Sequence, residues 1–425
     1  MKNRVVITGM GVYAPNAINL QDFNNALKEG RSGIQFVPRL EELKFGCRIG
    51  GIPKPLSKHQ IEFLKQYQIP LSSDTMGYAV ITALEAWKDA GLDIDMNKDS
   101  ADWDTGAMIG CGVSDMKTIA EILIPKVNSG KARRMGSQIV EQVMGSGVSA
   151  CIGGVFGLGN QVTSNSSACN TGTEAVVEGS WRIRTGRAKR MMVGGVEGSS
   201  MYIWAGFDSM RVLQTKFNDC PEKGSRPMSA TASGFVPGSG AGVLIIEDLE
   251  TAIKRDARIY AEIIGAYTNC GGQREGGTMT APNPNGVQRC IRKAIEDADI
   301  TPNDIDAING HLTATFADPY EIKNWSKALE KGSDAFPFIN STKSMIGHCL
   351  GATGAIETIA AVLEMNDGYL HPSINCEDIH PDIEAFESSV VRKLNKNVNL
   401  NIMAKASFGF GDVNSCLILK KWNNK

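Results

Sequence analysis

The chain has 425 residues, 42% of them apolar and 21% charged, and a formal net charge of −2. That length can bury one large duplicated fold or two to three domain-sized units, and the composition is that of an ordinary soluble globular protein. The near-zero charge offers no global attraction for nucleic acid or an anionic membrane, and no window approaches the roughly 20 apolar residues of a membrane span. Residues 4–12 predict a buried first strand. Lys2 and Arg4 stand ahead of this apolar run as in a signal peptide, but the run is short, contains Gly9 and Gly11, and enters Pro15-Asn16 without a small-residue cleavage site. A helix over 22–30 closed by glycine follows, then a longer helix over 73–90 and a strand over 106–112. The runs 191–195 and 242–247 are short and apolar enough for strands buried on both faces. After a charged helix over 248–258 a second cycle begins, with a strand at 259–268, a helix at 286–298 and a strand at 306–310. A helix at 356–365 and strands at 404–408 and 415–420 complete it. This alternation is the pattern of layered α/β architecture. Each half opens on a strand and closes on a strand pair, so we expect a duplicated unit with halves at 1–255 and 256–425.

The ten cysteines form no CxxC pair and no zinc-like spacing, which fits reduced thiols in a cytoplasmic setting. One has distinctive surroundings: Ser166-Ser167-Ala168-Cys169-Asn170-Thr171-Gly172, followed by a helix-compatible run over 174–181. A thiol at a helix mouth faces unsatisfied N–H groups and the positive end of the macrodipole, both of which favour the thiolate. The other nine read as packing residues. Of five histidines, His311 ends a strand in Asn309-Gly310-His311-Leu312-Thr313-Ala314-Thr315. His348 lies in a small-residue loop five residues after Lys343. Neutral imidazole N–H groups can stabilise a forming enolate oxygen, and Lys343 can supply fixed positive charge. His59, His371 and His380 receive no role. The segment Ser407-Phe408-Gly409-Phe410-Gly411-Asp412-Val413-Asn414 permits close backbone approach. It offers either a second N–H for an oxyanion hole or only a bulge or tight turn. Lys126, Lys131, Arg133 and Arg134 form a basic cluster, ordinarily a solvated face. The combination points to acyl transfer through a thioester on Cys169.

These motifs, together with Glu29-Gly30-Arg31-Ser32-Gly33-Ile34, Gly145-Ser146-Gly147-Val148-Ser149-Ala150-Cys151 and Thr215-Lys216-Phe217-Asn218-Asp219-Cys220-Pro221-Glu222-Lys223, resemble β-ketoacyl-acyl-carrier-protein synthases of the decarboxylating, thiolase-fold type, nearest the synthase I type. The resemblance covers nearly the whole chain. It implies a five-layered αβαβα fold of two similar halves, forming a homodimer or a heterodimer with a related ketosynthase subunit. Cys169 would take the acyl chain as a thioester, and malonyl-ACP would lose CO₂ to give the attacking enolate. His311 and His348 would hold the malonyl thioester oxygen, and Lys343 would order the site with Glu357 as its carboxylate partner. The N–H groups of Cys169 and Phe410 would form the oxyanion hole, with the Phe410 ring as gate. Thr313 and Thr315 would hydrogen-bond the pantetheine arm. With Glu357, Val113 and Met144 they complete the expected substrate side, the last two by position as pocket lining. No metal or redox cofactor is implied, since 4'-phosphopantetheine arrives on the acyl carrier protein, which the basic cluster would dock.

The chain departs from the family pattern at Leu312 for a usual glycine, Phe316 for proline, Ala232-Ser233 for Arg-Asp and Asp412 for a second glycine. We expect a reshaped pantetheine channel with a bulkier lining, and an Asp412 carboxylate that disfavours the Cys169 thiolate or repels malonate. Altered substrate choice, toward polyene or polyketide-like chains, follows. Two rivals remain. A non-catalytic chain-length partner would characteristically lack Cys169. A thiolase would need a second cysteine near the last glycine loop, where Cys416 instead falls within the strand run.

Overall fold

A computed structural model describes residues 2–72, 74–94, 100–113 and 115–423. The first half comprises β1 (Val5–Tyr13), α1 (Asp74–Asp89), β2 (Thr105–Cys111), β3 (Val162–Thr163), α2 (Thr171–Arg184), β4 (Arg190–Glu197) and β5 (Gly240–Asp248). The second comprises β6 (Ala261–Cys270), α3 (Pro284–Asp297), β7 (Ala307–Asn309), β8 (Phe338–Asn340), α4 (Thr353–Asp367), β9 (Ile402–Gly409) and β10 (Val413–Lys421). Ser73, where the second expected helix begins, lies outside the described residues. The charged helix expected over 248–258 is shorter, Leu249–Lys254.

The strands run in the order β8-β7-β9-β10-β6-β1-β5-β4-β2-β3. Outward from the centre, β1, β5 and β4 alternate in direction while β4, β2 and β3 are parallel. The sequence β6, β10, β9, β7, β8 repeats the same directions. The halves meet where β1 pairs with β6 through Val6–Glu262 and Ile7–Ala261. Duplication is thus plain in the pairing order, although no repeat can be read from the residues.

Helix α1 covers β1 and β5 on one outer face, α3 covers β6 and β10 on the other, and α2 and α4 pack between the half-sheets. This is the five-layered αβαβα arrangement. Strand residues alternate between layers: Leu244 and Ile246 join the central cluster around α4, while Val243 and Ile245 join the outer cluster around α1. Leu417 and Leu419 likewise face the centre, and Cys416 and Ile418 face α3. Helix α4 is buried from Thr353 to Met365, as expected of a helix enclosed on all sides. The two central helices approach through glycine: a Cβ on Gly172 would lie 2.6 Å from Ala355 N, and one on Gly354 would lie 2.2 Å from Thr173 Oγ1. This crossing places the N-termini of both helices, and so the segments carrying Cys169 and His348, side by side. Among the described residues, no helix is long and apolar enough to cross a membrane.

Candidate active site

Cys169 sits in the single turn Ala168–Asn170 that leads directly into α2. The turn is constrained: Ala168 has φ +51°, a left-handed conformation that costs a non-glycine residue energy. Thr171 Oγ1 donates to the Ala168 carbonyl at 2.7 Å and accepts the Ser167 N–H at 2.9 Å. The end of β9 lies against this turn. A Cβ on Gly409 would meet Ser167 O at 2.6 Å and Asn170 N at 3.1 Å, so only glycine permits the approach. The approach brings the backbone N–H of Phe410 to the Cys169 sulfur, beside the N–H of Cys169 itself.

The resting nucleophile is a thiol. Burial pushes the Cys169 pKa up to about 12, and Glu197 adds to the rise, against the pull of Lys343 and the two N–H groups. The thiolate expected from the helix terminus is therefore overridden, because desolvation of a charge outweighs the dipole in an enclosed site. Glu197, which sequence reasoning passed over, accepts the N–H groups of Gly112 at 3.0 Å, Val113 at 3.2 Å and Gly351 at 3.0 Å. It ties the loop after β2 to the segment after His348, and burial raises its own pKa to about 7. Val113 is held in this tie and packs on the apolar cluster around Trp204 and Leu350.

His311 and His348 face each other edge-on, ring centres 5.5 Å apart. Both are buried, and burial first, then Lys343, drives both pKa values well below the ordinary histidine range, so both rings are neutral. The Leu350 N–H donates to His348 Nδ1 at 3.2 Å, which leaves the ring proton on Nε2. The rings belong to an aromatic chain running Phe410, Phe207, Phe235, His348, His311, Phe408.

The loop carrying His311 is pinned by two buried carboxylates from the helix Asp318–Leu329. Glu321 accepts the His311 and Leu312 N–H groups at 2.7 Å each, and Asp318 accepts those of Thr313 at 2.8 Å and Ala314 at 3.0 Å. These bonds hold Leu312 and Ala314 at positive φ. Burial raises Asp318 to about 6 and Glu321 to about 7. The bulk expected to line the channel goes elsewhere: Leu312 is wholly buried in the core beneath the loop, and Phe316 projects outward, 74% exposed. Thr313 and Thr315 lie on this loop, half-buried, with their hydroxyls 3.0 Å apart.

Lys343, 1% exposed, donates to the His311 carbonyl oxygen and to Glu357 Oε1, the latter at 2.6 Å. Glu357 is 0% exposed and is occupied by buried lysines, so it supports the site from behind and does not form part of a substrate surface. Met144 lies at the surface, 38% exposed. Asp412 corrects a further expectation. Its carboxylate turns away from the sulfur and accepts the N–H groups of Gln273 and Asn283, each at 2.8 Å, while its carbonyl accepts that of Gly271 at 2.8 Å. The basic cluster is on the surface. Lys126 lies in the helix Ile124–Asn128, Arg133 and Arg134 in the turn Ala132–Arg134, and Lys131 between them; Lys131, Arg133 and Arg134 are exposed.

Comparison with known proteins gives the family of the chain. Residues 2–252 match the family model of the β-ketoacyl synthase N-terminal domain, and residues 260–377 match that of the C-terminal domain. The chain belongs to the β-ketoacyl synthase family. It is 34% identical over 420 residues to 3-oxoacyl-[acyl-carrier-protein] synthase 1 of Haemophilus influenzae, covering 99% of each chain. It is also 34% identical to the chloroplastic 3-oxoacyl-[acyl-carrier-protein] synthase I of Arabidopsis thaliana, covering 97% of this chain and 86% of the relative. Among solved structures, the ishigamide ketosynthase/chain length factor superposes with a TM-score of 0.87 at 27% identity, covering 100% of both chains. A type II PKS acyl-carrier protein in complex with its ketosynthase bound to the hexaketide also gives 0.87, at 26% identity and 99% coverage of this chain and 100% of that one. Within a β-ketoacyl synthase framework, the enclosed thiol with its two N–H groups and the paired neutral imidazoles occupy the junction of the two duplicated halves.

Proposed function

We propose that this chain condenses malonyl-ACP with an acyl group held on Cys169, giving β-ketoacyl-ACP, in fatty-acid or specialised polyene or polyketide-like elongation. The observation that carries the reading is the convergence, in one buried site, of a thiol flanked by two backbone N–H groups with two imidazoles held neutral. In the first step Cys169 attacks the acyl thioester, the N–H groups of Cys169 and Phe410 receive the oxyanion, and the sulfur's proton leaves with the carrier's pantetheine thiol. In the second, the bond between the malonyl carboxylate and its α-carbon breaks, CO₂ departs, and the electron pair moves onto the thioester oxygen. His311 and His348 donate hydrogen bonds to that oxygen; as neutral donors they need no proton uptake first. The enolate carbon then attacks the Cys169 thioester, and the cysteine leaves as a thiolate that takes a proton from water, replacing the one lost with the pantetheine thiol. Thr313 and Thr315 orient the pantetheine arm.

The basic cluster Lys126, Lys131, Arg133 and Arg134 receives the acidic carrier protein, and the chain works as a homodimer or paired with a related ketosynthase subunit. Ten free cysteines support a cytoplasmic setting. A chain-length partner is disfavoured by the intact Cys169 turn. The test has two arms. Mass spectrometry after exposure to acyl-ACP should show the acyl group on Cys169, and the Cys169→Gln protein should lose that transfer while still releasing CO₂ from malonyl-ACP. No acyl adduct on the intact protein, or no CO₂ release, refutes the reading.

A further inference from the structure

Behind the two histidines lies an ionisable group that the condensation scheme leaves without a task. Lys405, in β9, is 0% exposed. Its Nζ meets Glu357 Oε2 at 2.8 Å, Ser407 Oγ at 3.1 Å and the Ala406 carbonyl oxygen. It donates to two of these oxygens, Ser407 Oγ and the Ala406 carbonyl, and stands as the ion-pair partner of the third. Ser407 Oγ is itself fixed by Thr173 Oγ1 of α2 at 2.7 Å. The other oxygen of Glu357 is taken by Lys343, which also holds the His311 carbonyl. Two buried lysines therefore share one carboxylate, with the Glu321 carboxylate close enough to act on both.

We propose that Lys405 is a positioning residue for condensation, holding Glu357 and through it Lys343 behind His311 and placing a second fixed cation behind the site where the enolate charge develops. The inference rests on the condensation reading above. No bond forms or breaks at Lys405. The electron pair freed by loss of CO₂ moves to the thioester oxygen at the histidines, and a fixed cation in a dry site lowers the energy of that developing anion. Burial pulls the Lys405 pKa down while Glu357 holds it up. Lys405 also stands with Lys343 among the charges that keep His311 and His348 neutral.

The test uses Lys405→Met and Lys405→Ala in the Cys169→Gln protein, where decarboxylation of malonyl-ACP is read without condensation. Removing one fixed charge should lower kcat about 10-fold or more with KM for malonyl-ACP little changed. In Lys405→Ala, ammonium or methylammonium chloride should restore part of the rate, whereas tetramethylammonium, which has no N–H donor, should not. A rate within twofold of the parent, or a loss that ammonium does not relieve, overturns the proposal. Should either variant fold poorly, the melting temperature of Lys405→Ala must rise with ammonium and not with tetramethylammonium; no such rise overturns it equally. If the protein with Lys405 intact releases no CO₂, the condensation reading itself fails. NMR titration then decides on Lys405 alone: removing its charge should raise the pKa of His311 and His348, and unmoved histidines refute its electrostatic role.

Discussion

Asp412→Gly separates two accounts of one residue. A carboxylate beside the nucleophile, as the chain order suggests, would hold back the thiolate or repel malonate, and its removal would speed both reactions. The structure instead makes Asp412 a latch. Its buried carboxylate accepts the N–H groups of Gln273 and Asn283 at 2.8 Å each. Hydrogen bonds to a charged group contribute about 1.5–3 kcal/mol each, so the pair amounts to about 3–6 kcal/mol. Gln273 is exposed, so its freed N–H finds water and belongs at the low end; Asn283 is buried and belongs at the high end. Glycine recovers about 1 kcal/mol at φ +64°, where a Cβ is disfavoured. The net loss is about 3.5 kcal/mol, a large share of the roughly 5–15 kcal/mol that holds a domain folded. Urea unfolding should show it, with faster hydrogen exchange at 271–283. The pH dependence of Cys169 alkylation by iodoacetamide should stay where it is, since burial and Glu197, not Asp412, raise that thiol. A loss below about 1 kcal/mol, or an alkylation profile moved toward acid, would refute the latch.

Three further outcomes follow from the site. His311 and His348 sit well below the ordinary histidine pKa, so their NMR signals should not titrate between pH 8 and 6. Below the unfolded value of about 6.5 only the unfolded rings take protons, so each native histidine costs about 1.4 kcal/mol per further pH unit, and His348→Gln should lose less stability on acidification than the parent. Gly409→Ala would set a Cβ 2.6 Å from Ser167 O; pushing β9 off the Cys169 turn removes the Phe410 N–H from the sulfur, and losing one oxyanion donor should slow acylation about 10²–10³-fold, read as the rate of acyl-adduct formation. Reversing charge at Arg133 and Arg134 should raise KM for acyl-ACP roughly tenfold at low salt and flatten its salt dependence; an unchanged KM removes the docking assignment.

What could be read from the chain alone divides by range. The Cys169 turn, the His311 strand end and the α4 helix are written in a few consecutive residues, and the structure places them as those residues suggest. The three-residue strand β8 escapes such reading because its pairing with β7 defines it more than its composition does. Direction is harder still: nothing near Asp412 reveals that its carboxylate faces Gln273 and Asn283, some 130 positions earlier. Lys405 was within reach, since strand alternation puts it on the same face as Ser407, toward α2, and a lysine on an inward face must find a partner. The thiolate expectation failed for the same reason that Lys405 matters. A helix terminus is local and its pull on Cys169 was foreseeable, but the charge a buried site tolerates depends on every group enclosed with it. Here that sum runs through Glu197 at the end of β4, Lys343 after β8 and the N–H group of Phe410 after β9. The chemistry of Cys169 is therefore set by a network assembled from both halves of the duplicated fold, which is why the nucleophile can be named from seven residues and its protonation cannot.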